Sequence, residues 1–135
     1  MPTIKKPLFI YSRGRRRTAV ARVRLFKKAG ENQVNGLPFS QYFPGAIALK
    51  TFLEPFKLCG VEDKYHATVK VVGSGKLSQL TAAVHGLSRT LILAKPEVKP
   101  LFKKHGLLTR DPRTRQRRMI GTGGKSRRKK QSPKR

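Results

Sequence analysis

Four arginines stand in five consecutive positions, Arg13-Gly14-Arg15-Arg16-Arg17. A guanidinium is a planar fork of N–H donors that matches phosphate oxygens two at a time, so such a cluster is suited to gripping phosphate. Gly14, without a side chain, would let the backbone come close to an anion. The run leads into a segment in which Arg22 and Arg24 stand two positions apart, sharing one face of an extended chain. A charge run that merely faces water is the plainer reading. Its continuation onto a single strand face favours phosphate binding by Arg13, Arg15, Arg16, Arg17, Arg22 and Arg24.

Other signals for chemistry are weaker. Gly124-Lys125-Ser126 ends like a phosphate-binding loop, but that motif needs a glycine where Met119 stands. Gly75-Lys76 fails in the same way, with Lys70 in the first-glycine position and Leu77 in place of Ser or Thr. Cys59, His66, His85 and His105 show no metal-ligand spacing, so no metal or cofactor is expected. The carboxylates are Glu31, Glu54, Glu62, Asp63, Glu97 and Asp111. The adjacent pair Glu62-Asp63 is that of a solvated turn rather than of an acid/base couple. No catalytic residue is expected.

The positions of the charges divide the chain. Of 135 residues, 32 are Lys or Arg and 6 are Asp or Glu, a formal net charge of +26. Residues 1–28 hold 10 basic residues and no acid; residues 29–108 hold 10 basic and 5 acidic; residues 109–135 hold 12 basic and 1 acidic. The centre is therefore that of an ordinary globular domain flanked by cationic ends. Boundaries are expected at 1–8 for an N-terminal extension, 9–108 for the globular domain and 109–135 for a basic tail. A charge of this size repels itself in a compact state, and the remedy is a polyanion, nucleic acid above all. A membrane surface fits less well, because the basic stretches lack the continuous apolar face of a surface-bound helix. The single cysteine excludes an internal disulfide and suits a reducing compartment. No apolar stretch precedes the basic cluster as in a secretory signal, and Leu8-Phe9-Ile10-Tyr11 is too short to span a bilayer.

The elements that must position these groups emerge from apolar spacing. Ala19, Ala21, Val23 and Leu25 alternate with Thr18, Arg22 and Arg24, which predicts a half-buried strand over Thr18–Lys27, with Val20 and Phe26 as apolar exceptions on its outer face. Gly30, Glu31 and Asn32 turn the chain into a short returning strand, Gln33-Val34-Asn35. Two short helices are expected at Pro38–Tyr42 and Ala46–Phe52, the second closing near Pro55. Tyr65, Ala67, Val69 and Val71 predict a further strand. Leu77, Leu80, Val84, Leu87, Leu91 and Ala94 recur every three or four residues as the apolar stripe of a long helix. Its polar face is expected to carry Gln79, His85, Ser88 and Arg89, and a shorter helix over Glu97–His105 comes next. This order argues for an α+β fold, a small sheet with helices packed on one face. Beyond Arg110 no periodicity remains, and such a stretch cannot offset an ordering entropy of ~1–2 kcal/mol per residue; a disordered basic C-terminal tail is expected.

The choice of nucleic acid is narrowed by what is missing. No helix-turn-helix, zinc-finger or basic-zipper pattern occurs. There is no Trp and no aromatic strand motif for stacking single-stranded bases. Recognition of folded RNA by shape and backbone is favoured over base reading.

Four motifs in register then become specific: RGRRRTAVARV at 13–23, VNGLPFSQYFP at 34–44, HGLSRTL at 85–91 and LLTRDPR at 107–113. Together with the basic tail they resemble the bacterial-type small-subunit ribosomal protein nine over residues 9–135. The resemblance implies the α+β fold of the second domain of ribosomal protein five. It implies a structural, non-enzymatic constituent of the small subunit that binds rRNA in the head, beside neighbouring small-subunit proteins, on cytoplasmic or plastid ribosomes. The rRNA-binding set would add Arg89, Arg110, Arg113, Arg115, Arg117, Arg118, Lys125, Arg127, Arg128, Lys129 and Lys130 to the six arginines above. The family's terminal Lys-Arg, which contacts the peptidyl-site tRNA, matches Lys134 and Arg135. Here Gln131-Ser132-Pro133 precedes that pair where the family usually reads Gln-Phe-Ser, and Ser78 stands where it usually has Gly. No homo-oligomer and no membrane partner are expected. The alternative class is a free-standing nucleic-acid-binding protein that compacts chromosomes or regulates.

Overall fold

The computed structural model describes residues 8–120. The chain enters a hairpin of two eight-residue strands, β1 (Phe9–Arg16) and β2 (Ala19–Phe26), paired antiparallel with Arg16 opposite Ala19. Only Arg17 and Thr18 join them, and Arg17 takes a positive φ of 52°. β1 departs from expectation: the arginine-rich segment, counted with the cationic end of the chain, is an edge strand. Its alternation was hidden because Ser12 and Gly14, not apolar residues, occupy the buried positions.

β3 (Gln33–Val34) and β4 (Leu37–Pro38) form a second, very short hairpin. Its two-residue turn is Asn35-Gly36, both at positive φ, the conformation that a two-residue hairpin loop prefers. The expected returning strand at 33–35 does not pair back onto β2. It lies parallel to β5 (His66–Val72), with Val34 opposite Val69. Asn35 prolongs that pairing through its side chain, donating from Nδ2 to the Val71 carbonyl at 3.1 Å and accepting from the Val71 N–H at 2.9 Å. The five strands run in the order β1-β2-β5-β3-β4.

Between β4 and β5 lie α1 (Phe39–Tyr42) and α2 (Ala46–Cys59). α2 does not close near Pro55 but runs through it for another turn. An interior proline costs about 3 kcal/mol, whereas burying a phenylalanine contributes about 1.5–3 kcal/mol. Phe52 and Phe56 flank Pro55 and all three are buried, so packing outweighs the missing N–H. The helix ends where Gly60 turns left-handed and the Val61 N–H bonds the Phe56 carbonyl.

α3 (Lys76–Ala94) is the central element, packed on β1 and β2 on one side and on α2 on the other. Helices thus cover one sheet face, as expected. Two positions of α3 differ from the sequence reading. Leu77 is 79% exposed, while its neighbour Ser78 is buried in the same turn, and Ser88 is fully buried. Burial on two sides leaves little room for a polar face; Ser88 and Thr90 meet it by donating back to the Val84 and Leu87 carbonyls at 2.8 and 2.7 Å. A 3₁₀ turn at Pro96–Val98 and α4 (Lys99–Lys104) come next, with Phe102 buried. The segment after Gly106 is irregular up to residue 120. The expected disordered tail lies, beyond residue 120, outside the described residues.

Candidate nucleic-acid interface

The sheet face away from the helices carries the cations. Alternation in β1 and β2 buries Ser12, Gly14, Ala19, Ala21, Val23 and Leu25 and turns Arg13, Arg15, Arg22 and Arg24 outward. The antiparallel register then sets Arg13 opposite Arg22, and Arg22 opposite Lys70 of β5. Three cations form one row across three strands. Like charges directly opposite one another destabilise a sheet, and none of the three is answered by a carboxylate: the ion pairs among the described residues all involve Asp111.

Neighbouring rows are set by the same register. On one side Tyr11, Arg24 and Thr68 line up; on the other, Arg15, Val20 and Val72. Beyond Tyr11 comes an aromatic row, Phe9, Phe26 and His66, in which Phe26 and His66 stack with centroids 5.0 Å apart. The Arg24 guanidinium lies 5.0 Å over the Phe9 ring. Two shallow concavities of about 620 and 570 Å³ lie on this face and share Tyr11, Arg22 and Lys70.

A second basic feature forms at the hairpin tip, where Arg16 and Arg17 meet Arg113, Thr114 and Arg115. Here Arg16 is engaged within the chain. Its Nη1 donates to the Arg113 carbonyl at 2.6 Å, and its Nη2 lies 3.3 Å from Asp111 Oδ2. Arg113 grips the same carboxylate through Nε and Nη2, at 3.0 and 2.7 Å, while its backbone N–H donates to Oδ1. These bonds from Arg113, with Arg16 adding to them, hold the Asp111 carboxyl well below the usual carboxylate range. The motif around Asp111 therefore clasps the outgoing chain to the end of β1.

Several expected site residues take distinct places. Arg13, Arg15, Arg22 and Arg24 share the open face, and Arg17 stands at the hairpin tip. Arg89 ties α3 to β1, donating from Nη1 to the Arg13 carbonyl at 2.7 Å. Arg110 lies near His85, whose Nε2 donates to the Leu108 carbonyl at 3.2 Å. Burial first, and then Arg89 and Arg110, push the His85 imidazole below its ordinary value. Arg115, Arg117 and Arg118 are exposed on the irregular segment. Lys125, Arg127, Arg128, Lys129, Lys130, Lys134 and Arg135 lie outside the described residues.

Gly14 serves a different end from the one expected. It faces α3, not an anion, and a side chain there would run into the Ala82 carbonyl oxygen and the Gly86 nitrogen. Gly86 is its counterpart, where an added Cβ would stand 2.9 Å from the Gly14 nitrogen. Lys70 and Tyr11 were not among the expected site residues. Alternation along His66–Val72 already turned Lys70 outward, but only the sheet order brings it beside Arg22. Tyr11 required β1 to be a strand.

Among the described residues no three His, Cys, Asp or Glu side chains cluster as metal ligands, and no helix is long and apolar enough to cross a membrane. Cys59 packs half-buried at the end of α2, where burial raises its thiol above the ordinary value.

Comparison with known proteins bears on the same span. The family model for ribosomal protein S9/S16 matches residues 14–135. The small ribosomal subunit protein uS9 of Solidesulfovibrio magneticus is 41% identical over 116 residues, covering 86% of this chain and 89% of the relative. That of Desulfovibrio desulfuricans is 41% identical over 113 residues, covering 84% and 87%. That of Lawsonia intracellularis is 40% identical over 113 residues, with the same coverage.

Proposed function

This chain belongs to the ribosomal protein S9/S16 family, and from that premise we propose that its open sheet face holds small-subunit rRNA by the phosphate backbone. Membership makes it a structural protein of the small ribosomal subunit rather than an enzyme, associated with ribosomal RNA and with other ribosomal proteins. The observation that carries the finer reading is the row Arg13, Arg22 and Lys70, three cations in cross-strand register without a carboxylate. Such a row costs stability in the free chain and becomes favourable once phosphates lie against it.

The remaining arginines divide in this reading. Arg15, Arg17 and Arg24 extend the phosphate-binding face, and Arg115, Arg117 and Arg118, with Lys125, Arg127, Arg128, Lys129 and Lys130, continue along rRNA. Arg16, Arg89 and Arg113 shape the surface through their bonds within the chain, and Arg110 adds charge beside them. Lys134 and Arg135 are assigned to the peptidyl-site tRNA, and the protein works as a single copy in the subunit head.

The test is the salt dependence of binding to small-subunit rRNA. Each phosphate neutralised adds about 0.7–0.9 to the log-log slope. Replacing Arg13, Arg22 and Lys70 together with Ala should flatten the slope by about 2–3 units. An unchanged slope would return the row to plain solvated charge.

A further inference from the structure

We propose that Tyr11 is a stacking platform for one unpaired RNA base, so that the open sheet face reads single-stranded or bulged RNA rather than duplex alone. The inference rests on the reading of that face as the rRNA surface, and it adds a contact that charge cannot provide.

Tyr11 is 48% exposed, on the outward side of β1. Its ring and hydroxyl have no partner among the described residues: Phe9, Phe26 and His66 pair with one another, and Arg24 lies over Phe9 rather than over Tyr11. Leaving an aromatic ring in water forgoes the burial that such a side chain ordinarily gains. Its surroundings say what would cover it. Arg24 stands directly opposite, and Arg13 is the next outward residue along the strand. Arg22 and Lys70 share both neighbouring concavities with Tyr11. Strands lie about 4.8 Å apart, and same-face residues about 7 Å apart along a strand. A nucleotide bridges such a distance from its base to its own phosphate. An apolar peptide would find cations without carboxylate partners beside the ring, at Arg13, Arg22, Arg24 and Lys70; a nucleotide brings a π-face for Tyr11 and an anion for those cations. The bases of a duplex are already stacked on each other, so the occupant is an unpaired one.

The experiment compares the full chain with Tyr11→Ala and Tyr11→Phe for affinity to small-subunit rRNA over a range of salt, together with chemical reactivity of the rRNA bases in each complex. Tyr11 neutralises no phosphate, so Tyr11→Ala should weaken binding about tenfold, a loss typical of base–aromatic stacking, with the salt slope unchanged. Tyr11→Phe should bind like the native chain, and one unpaired base protected by the native protein should become reactive with Tyr11→Ala alone. Native affinity in Tyr11→Ala overturns the proposal. So does a loss that comes with a flattened slope, or one shared by Tyr11→Phe. The Arg13, Arg22 and Lys70 replacement separates the two readings. If it weakens binding while Tyr11→Ala does not, stacking alone falls; if neither changes binding, the functional reading of the whole face falls.

Discussion

Gly14 shows how much a single position can decide. It sits where α3 approaches β1 backbone to backbone, and what a new Cβ would meet there belongs to the main chain. No side-chain rotation relieves that clash. Gly86 is crowded partly by Val23 Cγ2, 2.8 Å from an added Cβ, and a side chain can yield. Overpacking a tight contact costs about 1–3 kcal/mol. Gly14→Ala should therefore lose stability near the upper end of that range and Gly86→Ala less, as read from urea unfolding midpoints. Asp111 makes a residue-scale prediction of another kind. Its folded-state value is depressed, chiefly by the Arg113 hydrogen bonds. A depressed carboxyl supports the native arrangement fully above its unfolded value, about 3.9, and loses that support only as pH falls through the lower folded value. The clasp should thus persist at about pH 4, with the Asp111 carboxyl carbon, followed by NMR, titrating below the ordinary range. Asp111→Asn should release the Arg113 guanidinium at every pH and leave Arg16 only its bond to the Arg113 carbonyl, seen as shifted guanidinium signals.

At the level of elements, the core is complete before the chain leaves α4. The buried apolar residues of the core run from Ala19 to Phe102, and Leu107 and Leu108 pack against their edge. The irregular segment beyond them holds on through one ionic cluster, Asp111 with Arg16 and Arg113, rather than through the apolar core. A chain of residues 9–108 should consequently melt cooperatively, with protected amides throughout α3. A broad, non-cooperative melt would show that the later segment is part of the folding unit. β1 belongs inside that unit as well, because α3 packs on it as closely as on any strand.

For the molecule as a whole, charge sets the partner. A net +26 on 135 residues repels itself until phosphates neutralise it, and Arg13, Arg15, Arg22, Arg24 and Lys70 set five cations without carboxylate partners on one sheet face. The distal pair Lys134 and Arg135 contributes only a small part of this total, so removing both should leave rRNA binding nearly intact. If they meet the tRNA, affinity of reconstituted small subunits for peptidyl-site tRNA should fall by about 1–3 kcal/mol, the scale of one or two charge-assisted hydrogen bonds. Equal tRNA affinity with and without the pair, at fixed salt and magnesium, would reassign those residues to rRNA.

Period-two and period-three-to-four spacing of apolar residues determined β2, β5 and α3, since each buries a continuous face that its own residues must supply. Composition determined the polyanionic partner, and four motifs determined the family. The Asn35-Gly36 turn was legible too, from a dipeptide that favours two positive φ angles, although the segment read as a strand running into a helix. Other features were decided only by the tertiary structure. β1 is buried through Ser12 and Gly14, and its strand character depends on α3 lying against it. Ser88 is buried because α3 is covered on two sides. Lys70 stands far along the chain from Arg22, and Tyr11 lies on a strand that local spacing did not reveal. Their place in one cationic face comes from strand order and register, which are set by long-range pairing that no local pattern encodes.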